Sequence, residues 1–424
     1  MKKIPLEMYD KVNYMCRCYM DRTARGMFFY DNIPDIPKLR EVLDCAFKKV
    51  PLLHSKVVDN HISPYWLVCD YTADELLLVS EKEDLEKAAE EFLNEGVALD
   101  SNIQFMSAVF THEGKSVFCM KWNHMIMDGG GIKQFLTDFY NVYNDYLDTG
   151  VLTDGFSDGA RGYGEVYADM PKEKAKKAKM QFANTARKEK KTLPFTKKGE
   201  GTDRVHLVKF GMDADIIEKA RLAGKKYGAT VNDVLAAAYI DAFGKMTGHK
   251  DSFTLSCAVD LRRYIKNPEK LGYTNHVSFM SCTADGIYDN IADTLTAVVR
   301  SNKENKKDEF LGLHGLPLLN IGYRSMIYAH AEIIIRLFYS NANLSLSNVG
   351  RLDTDTYRFG ENKITEAYFF GAAKNKPCAA ATAMTVYGNL RITMCIIADE
   401  KDKRMLEKFF ELMGDAITRI AELN

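Results

Sequence analysis

The chain has 424 residues, enough for two large lobes or two to three average domains, and its 46 % apolar content supports a sizeable core. Its 57 basic residues are offset by 58 acidic ones, a net charge of −1, which excludes any global pull toward nucleic acid or an anionic membrane. No apolar run reaches spanning length, the start MKKIPLEMYDKVNYM lacks a signal-peptide core, and nine scattered cysteines form no C-x-x-C pair. Reduced thiols and a cytoplasmic location are the expectation.

Along the first half, short strands alternate with helices. GMFFYDN (26–32) has the pattern of a strand, and 34–50 that of a helix with proline near its start. Extended runs follow at HSKVVDN, PYWLVCDY and ELLLVS, then a helix over 83–96 that stops on Gly96. NIQFMSAVFTHEG and KSVFCMKWNH read as two strands joined by a turn, and GIKQFLTDFYNVYNDYLDTG as a helix ending at Gly150. Residues 151–203 break the pattern. They are glycine-rich and then lysine-rich, which predicts a solvated linker carrying a surface helix; the functional alternative is a positive rim over 172–198 for phosphate groups of a ligand or carrier.

A second block opens with a strand, RVHLVKFGM, and two helices, 213–228 and 230–248. Strands DSFTLSCAVDLRR and NHVSFMSCTA follow, then helical 289–305 and much of 316–340. Four strands (NLSLSNVG, TEAYFFG, ATAMTVYG, NLRITMCIIAD) and a long helix from 401 close the chain. The expected class is α/β (α+β): two lobes, each a mixed sheet with flanking helices, over 1–175 and 204–424, with 176–203 as the lysine-rich linker.

The stretch KWNHMIMDGGGIKQF (121–135) carries the chemistry-bearing residues. By strand alternation His124 shares a face with Phe118, Met120 and Trp122, whereas Cys119 faces away. The plain reading is a strand-end histidine, an Asp128 helix cap and glycines permitting a turn of positive φ. The functional reading is a general base: a histidine kept neutral by its apolar surroundings accepts a proton and contributes roughly two to four powers of ten in rate. Asp128 would brace the turn through an arginine, and Gly129, Gly130 and Gly131 would clear the approach to the imidazole. His-x-x-x-Asp lacks a third ligand nearby, so no metal is expected.

His124-Met-Ile-Met-Asp128-Gly129 resembles the HxxxDG signature of the CoA-dependent acyltransferase superfamily, which includes chloramphenicol acetyltransferases, alcohol acetyltransferases, wax ester synthases and condensation domains. In the same order, TVNDVLAAAYIDAF (230–243), VDLRRYIKNPEKLGYTN (259–275) and LSNVG (346–350) resemble later segments of those proteins. The likeness spans nearly the whole chain. It implies two chloramphenicol acetyltransferase-like lobes with a tunnel between them. His124 would be the base that deprotonates an acceptor hydroxyl or amine, which then attacks a thioester carbonyl. Asp128 would be structural, with Arg262 as its partner. The oxyanion would be met by N–H groups around Gly129 and Gly130, or by Ser347 or Asn348; Tyr273 and Asn275 would line the tunnel.

The same resemblance implies no resident cofactor, acyl-CoA as co-substrate, and as partners a small-molecule acceptor with acyl-CoA or an acyl carrier protein. Peptide-forming members usually carry two consecutive histidines; here the first is Asn123, which points to a free-standing O- or N-acyltransferase. Two other readings are a non-catalytic carrier-docking module of the same fold and a hydrolase using the same histidine.

Overall fold

The computed structural model describes residues 2–183, 189–197, 201–338 and 343–423. Two mixed sheets with flanking helices organise them. The first sheet has six strands in the order Arg358–Phe359, Asn362–Phe370, Thr23–Tyr30, Lys115–Asn123, Phe105–His112, Leu78–Glu81. All its pairs are antiparallel except the last. The second has seven: Val277–Ala284, Phe253–Asp260, Leu344–Arg351, Ala379–Val386 and Asn389–Ala398 in line, with Arg204–Met212 and Lys374–Asn375 both pairing with Asn389–Ala398. A small third sheet joins Lys3–Pro5, Tyr65–Val68 and Ser55–Val58. The two lobes are interleaved, because Asn362–Phe370 pairs with Thr23–Tyr30 and so completes the first sheet.

The strand Lys115–Asn123 is buried on both faces, and its alternation sorts its side chains between two cores. Phe118, Met120 and Trp122 join the main core of the first lobe. Val117 and Cys119 pack on the other side with Ala89 and Leu93 of the helix Leu85–Asn94 and with Leu207 and Cys395 of the second sheet. Burying one such side chain is worth about 1.5–3 kcal/mol, so this strand is held from two directions up to its last residue. The helix Gly129–Thr149 follows it, lays Phe135, Leu136 and Phe139 on that core, and stops at Gly150, whose φ of 71° suits glycine.

Several local expectations change. The start forms a helix, Met8–Met15, as well as a strand, and both were missed. ELLLVS splits into a helical turn, Ala73–Leu76, and a strand, Leu78–Glu81. The strand before Arg262 ends at Asp260, whose carboxylate accepts the Arg262 N–H at 2.9 Å and tightens Leu261–Tyr264 into a 3₁₀ turn. The segment 316–340 is two helices, Leu316–Ser325 and Tyr328–Phe338, because Met326 is extended; its last two residues lie outside the described residues. Parts of the lysine-rich stretch, 184–188 and 198–200, do too.

Residues 151–170 are no free linker. Phe156, Tyr163, Val166 and Tyr167 are buried in the first core. Gly159 lies so close to 270–272 that a Cβ there would stand 2.0 Å from the Lys270 carbonyl oxygen. Among the described residues no helix is long and apolar enough to cross a membrane.

Candidate functional site

His124 stands one residue beyond its strand, in the turn that leads to the helix Gly129–Thr149. Its backbone N–H donates to the Arg22 carbonyl at 2.7 Å, extending the strand pair by one step. The side chain is half-buried between two buried neighbours, Asn123 and Met125. Part of the residue therefore stays accessible, in the turn just past the strand.

Asn275 sets the ring. Its Nδ2 donates to the carbonyls of His124 and Met125, at 2.8 and 3.0 Å. Those oxygens only accept, so the orientation of the amide follows, and its Oδ1 faces His124 Nδ1 at 3.1 Å. An amide oxygen accepts as well, so Nδ1 carries the proton and Nε2 the lone pair. The residue expected to line a tunnel thus selects the tautomer of the candidate base.

Asp128 takes four hydrogen bonds. Oδ1 accepts the Gly131 N–H at 2.8 Å and Arg262 Nη2 at 2.9 Å; Oδ2 accepts Arg262 Nη1 at 3.2 Å and the His276 N–H at 2.7 Å. Burial alone would push this carboxyl up, but the Arg262 charge and the hydrogen bonds hold it below its usual range. Capping and ion pairing, weighed as alternatives for Asp128, coexist. Arg262 also donates to the Thr274 carbonyl at 2.8 Å and to Asp260 at 3.2 Å. Burial works against its charge too, and Asp128 more than offsets that. The turn of the first lobe is thereby bolted to 260–276 of the second.

Two of the glycines make room for this bolt. A Cβ on Gly130 would lie 2.5 Å from Arg262 Nη1, and one on Gly131 2.7 Å from the Thr274 carbonyl oxygen. Gly129 has only Val349 near it, at 3.6 Å. None of the three has a positive φ, so at Gly130 and Gly131 glycine supplies steric room and not backbone freedom.

The other expected residues are placed as follows. Asn123 is buried; it donates to Gln104 Oε1 at 2.7 Å and accepts the Met125 N–H at 3.0 Å, stiffening the turn from behind. Tyr273 lies in the core instead of on an open wall, with its hydroxyl on Asp138 at 2.5 Å and its ring edge-on to Phe135. Ser347 and Asn348 are on the strand Leu344–Arg351, which approaches the glycine turn through Val349. The Asn348 amide is engaged by Asn232 at 2.5 Å and by the Gly350 N–H at 2.8 Å.

Three contributors escaped the sequence reading. Arg161, from the glycine-rich loop, donates to the carbonyls of Tyr273 (2.7 Å) and Ile126 (2.9 Å) and pairs with buried Asp10 at 3.1 Å. A lone arginine inside a run of small residues was the available signal. His276 is fully buried beside Asp128; burial, and then the Arg262 charge, push its imidazole down to about 4. The third is Arg22, opposite His124. As for metals, the one acidic grouping of ligand-like spacing among the described residues is Asp203, Asp399 and Asp402. The Lys376 ammonium already sits there, 2.9, 3.7 and 3.1 Å from them.

The model of the condensation domain matches residues 32–259, more than half of the chain and including the His124 turn. A comparison with curated proteins finds no match. Among solved structures, polyketide synthase associated protein 5 from Mycobacterium tuberculosis is 14 % identical with a TM-score of 0.66, covering 97 % of both chains. The first condensation domain of the CDA synthetase is 14 % identical, TM-score 0.69, over 100 % of this chain and 96 % of its own. The starter condensation domain of rhizomide synthetase, a mutant in complex with C8-CoA and Leu-SNAC, is 11 % identical, TM-score 0.65, over 99 % and 94 %. At these identities the likeness concerns the fold, and it agrees with two lobes of the chloramphenicol acetyltransferase kind.

Proposed function

The chain belongs to the condensation-domain family, and from that premise we propose that it transfers an acyl group from a thioester to a hydroxyl or amine, with His124 as general base. The observation that carries this reading is the orientation of the His124 ring. Asn275 holds Nδ1–H, which leaves the Nε2 lone pair for a substrate proton. In the reaction Nε2 takes the proton of the acceptor as its oxygen or nitrogen attacks the thioester carbonyl. The tetrahedral oxyanion then collapses, the C–S bond breaks, and the imidazolium returns the proton to the departing thiolate.

Asp128 and Arg262 act through the turn and not on the substrate, since each is engaged within the protein. The N–H groups of Gly129 and Gly130, at the start of a helix where such groups lack intrahelical acceptors, are the oxyanion donors in this reading. Asn348 is a weaker choice because its amide is already engaged. The rhizomide synthetase neighbour, solved with C8-CoA and Leu-SNAC, favours an acyl-CoA or related thioester as donor here. Asn123 in place of a second histidine favours a small free acceptor.

The test is thiol release from acetyl-CoA and longer acyl-CoAs across a panel of alcohols and amines, with products identified by mass spectrometry. His124→Ala should lower kcat by about two to four powers of ten. Absence of thioester turnover in the unmodified protein sinks the reading, and free acid as the sole product replaces it with hydrolysis.

A further inference from the structure

The backbones of Arg22 and His124 are paired, since the Arg22 carbonyl accepts the His124 N–H at 2.7 Å, the step after Thr23 opposite Asn123. Arg22 is 9 % exposed, and its Nε and Nη1 are buried with no hydrogen-bond partner among the described residues. Its neighbour Asp21 favours the charge through space, but its oxygens are bonded to other donors. Oδ1 of Asp21 accepts the N–H of Thr23 and of Ala373, at 3.0 and 2.8 Å, and Oδ2 pairs with Arg25. Burial pushes the Arg22 guanidinium down to about 10, so it keeps its charge at neutral pH.

The backbone adds a second cost. Arg22 has φ of 61°, a region that side-chain-bearing residues seldom occupy. A buried cation without a hydrogen-bonded partner and a strained backbone both work against folding, and both fall on the residue whose backbone pairs with that of the candidate base. A structural arginine would have a structural partner, as Arg262 does. A bound anion supplies what is missing, because a carboxylate or phosphate takes two parallel N–H bonds from the guanidinium fork.

We propose that Arg22 determines specificity at the His124 site by holding an anionic group, a carboxylate or a phosphate, of the molecule that reacts there. That the molecule reacts rests on the transferase reading; that an anion is held does not. Two sources share this chemistry: a carboxylate on the acyl acceptor, and the phosphate of a CoA-type donor arm. The step-by-step register from His124 to Arg22 favours the carboxylate, since the phosphates of CoA lie a whole pantetheine arm away from the thioester.

Calorimetric titration of the full chain separates them. One arm compares lactate, 3-hydroxybutyrate and salicylate with their methyl esters; the other compares acetyl-CoA with S-acetyl-N-acetylcysteamine, which has no phosphate. The charged member of one arm should bind about ten- to a hundredfold more tightly. Arg22→Gln should abolish that preference, and Arg22→Lys, a point charge, should keep part of it. Loss in the first arm assigns the carboxylate and loss in the second the phosphate. Equal binding of charged and neutral members in both arms, including no binding at all, overturns the proposal, and so does a preference that survives Arg22→Gln. A preference dependent on Arg22 without thioester turnover keeps the anion site and sinks transfer; turnover without such a preference does the reverse.

Discussion

On one side of the His124 turn, Arg262 directs both Nη groups to Asp128, Asp260 and Thr274 and leaves only Nε unpaired; on the other, Arg22 leaves Nε and Nη1 buried without a hydrogen-bond partner among the described residues. Both guanidiniums are largely removed from water, so both bear a desolvation cost. Only the first is directly bonded to a carboxylate. The difference separates the residues that build the turn from the one proposed to hold a ligand beside it. It also orders the consequences of mutation, because removing a compensated charge orphans its partner and removing an uncompensated one orphans nothing.

The largest expected effect is on the compensated side. Arg262→Met strands Asp128 as a buried carboxylate with only its two backbone donors, and should cost about 3–5 kcal/mol in denaturant unfolding. Asp128→Leu with Arg262→Met should cost much less than the two single changes added together. Simple additivity in that cycle would break the comparison, since it would mean that the pair is not coupled.

The same junction predicts the acid limb of stability. The His276 imidazole is lowered from 6.5 to about 4 in the fold, so unfolding takes up a proton between those values. A lowered folded value means stability that is complete above pH 6.5 and falls away as pH drops toward 4. The loss is on the order of 3 kcal/mol. Asp128, held below its ordinary 3.8, continues the same trend at still lower pH. Unfolding titrations from pH 7 to 3 on the parent and His276→Gln check this: the variant should lose the upper part of the limb.

Some of this was open to sequence reading, for identifiable reasons. His124, Asp128 and the glycines lie within one short turn, and alternation along Lys115–Asn123 separated Cys119 from Phe118, Met120 and Trp122. Arg262 was reachable because it sits in a recognisable strand-end segment 134 residues away. What the glycines do was not legible, because it depends on how near Arg262 and Thr274 come across the lobes. Nor was the completion of the first sheet by Asn362–Phe370, since local pattern shows that a strand exists and not which edge it joins. Tyr273 looked available and is instead tied to Asp138, a tertiary contact with no local signature.

Asn275 sharpens the comparison from the middle of the site. It orients the ring without touching the reacting atoms in the proposed reaction. Asn275→Ala should therefore reduce kcat by about ten- to a hundredfold, the worth of one such hydrogen bond, with little change in KM. A fall in KM affinity with kcat intact would recast Asn275 as a substrate contact.

The smallest effect, and the one of opposite sign, belongs to Arg22. If its charge and its backbone are both maintained against the fold, relieving either should stabilise the ligand-free protein. Arg22→Met removes the buried charge while keeping an apolar stem, and should raise the unfolding free energy by on the order of 1 kcal/mol. Arg22→Gly removes the charge and also suits φ of 61°, though it loosens the unfolded chain, so its gain should be similar or slightly smaller. A residue kept for packing would show the reverse, with both variants less stable than the parent. Gain of stability with loss of the charged-ligand preference is the combination that only a binding role produces, because stability and ligand affinity then pull the same residue in opposite directions.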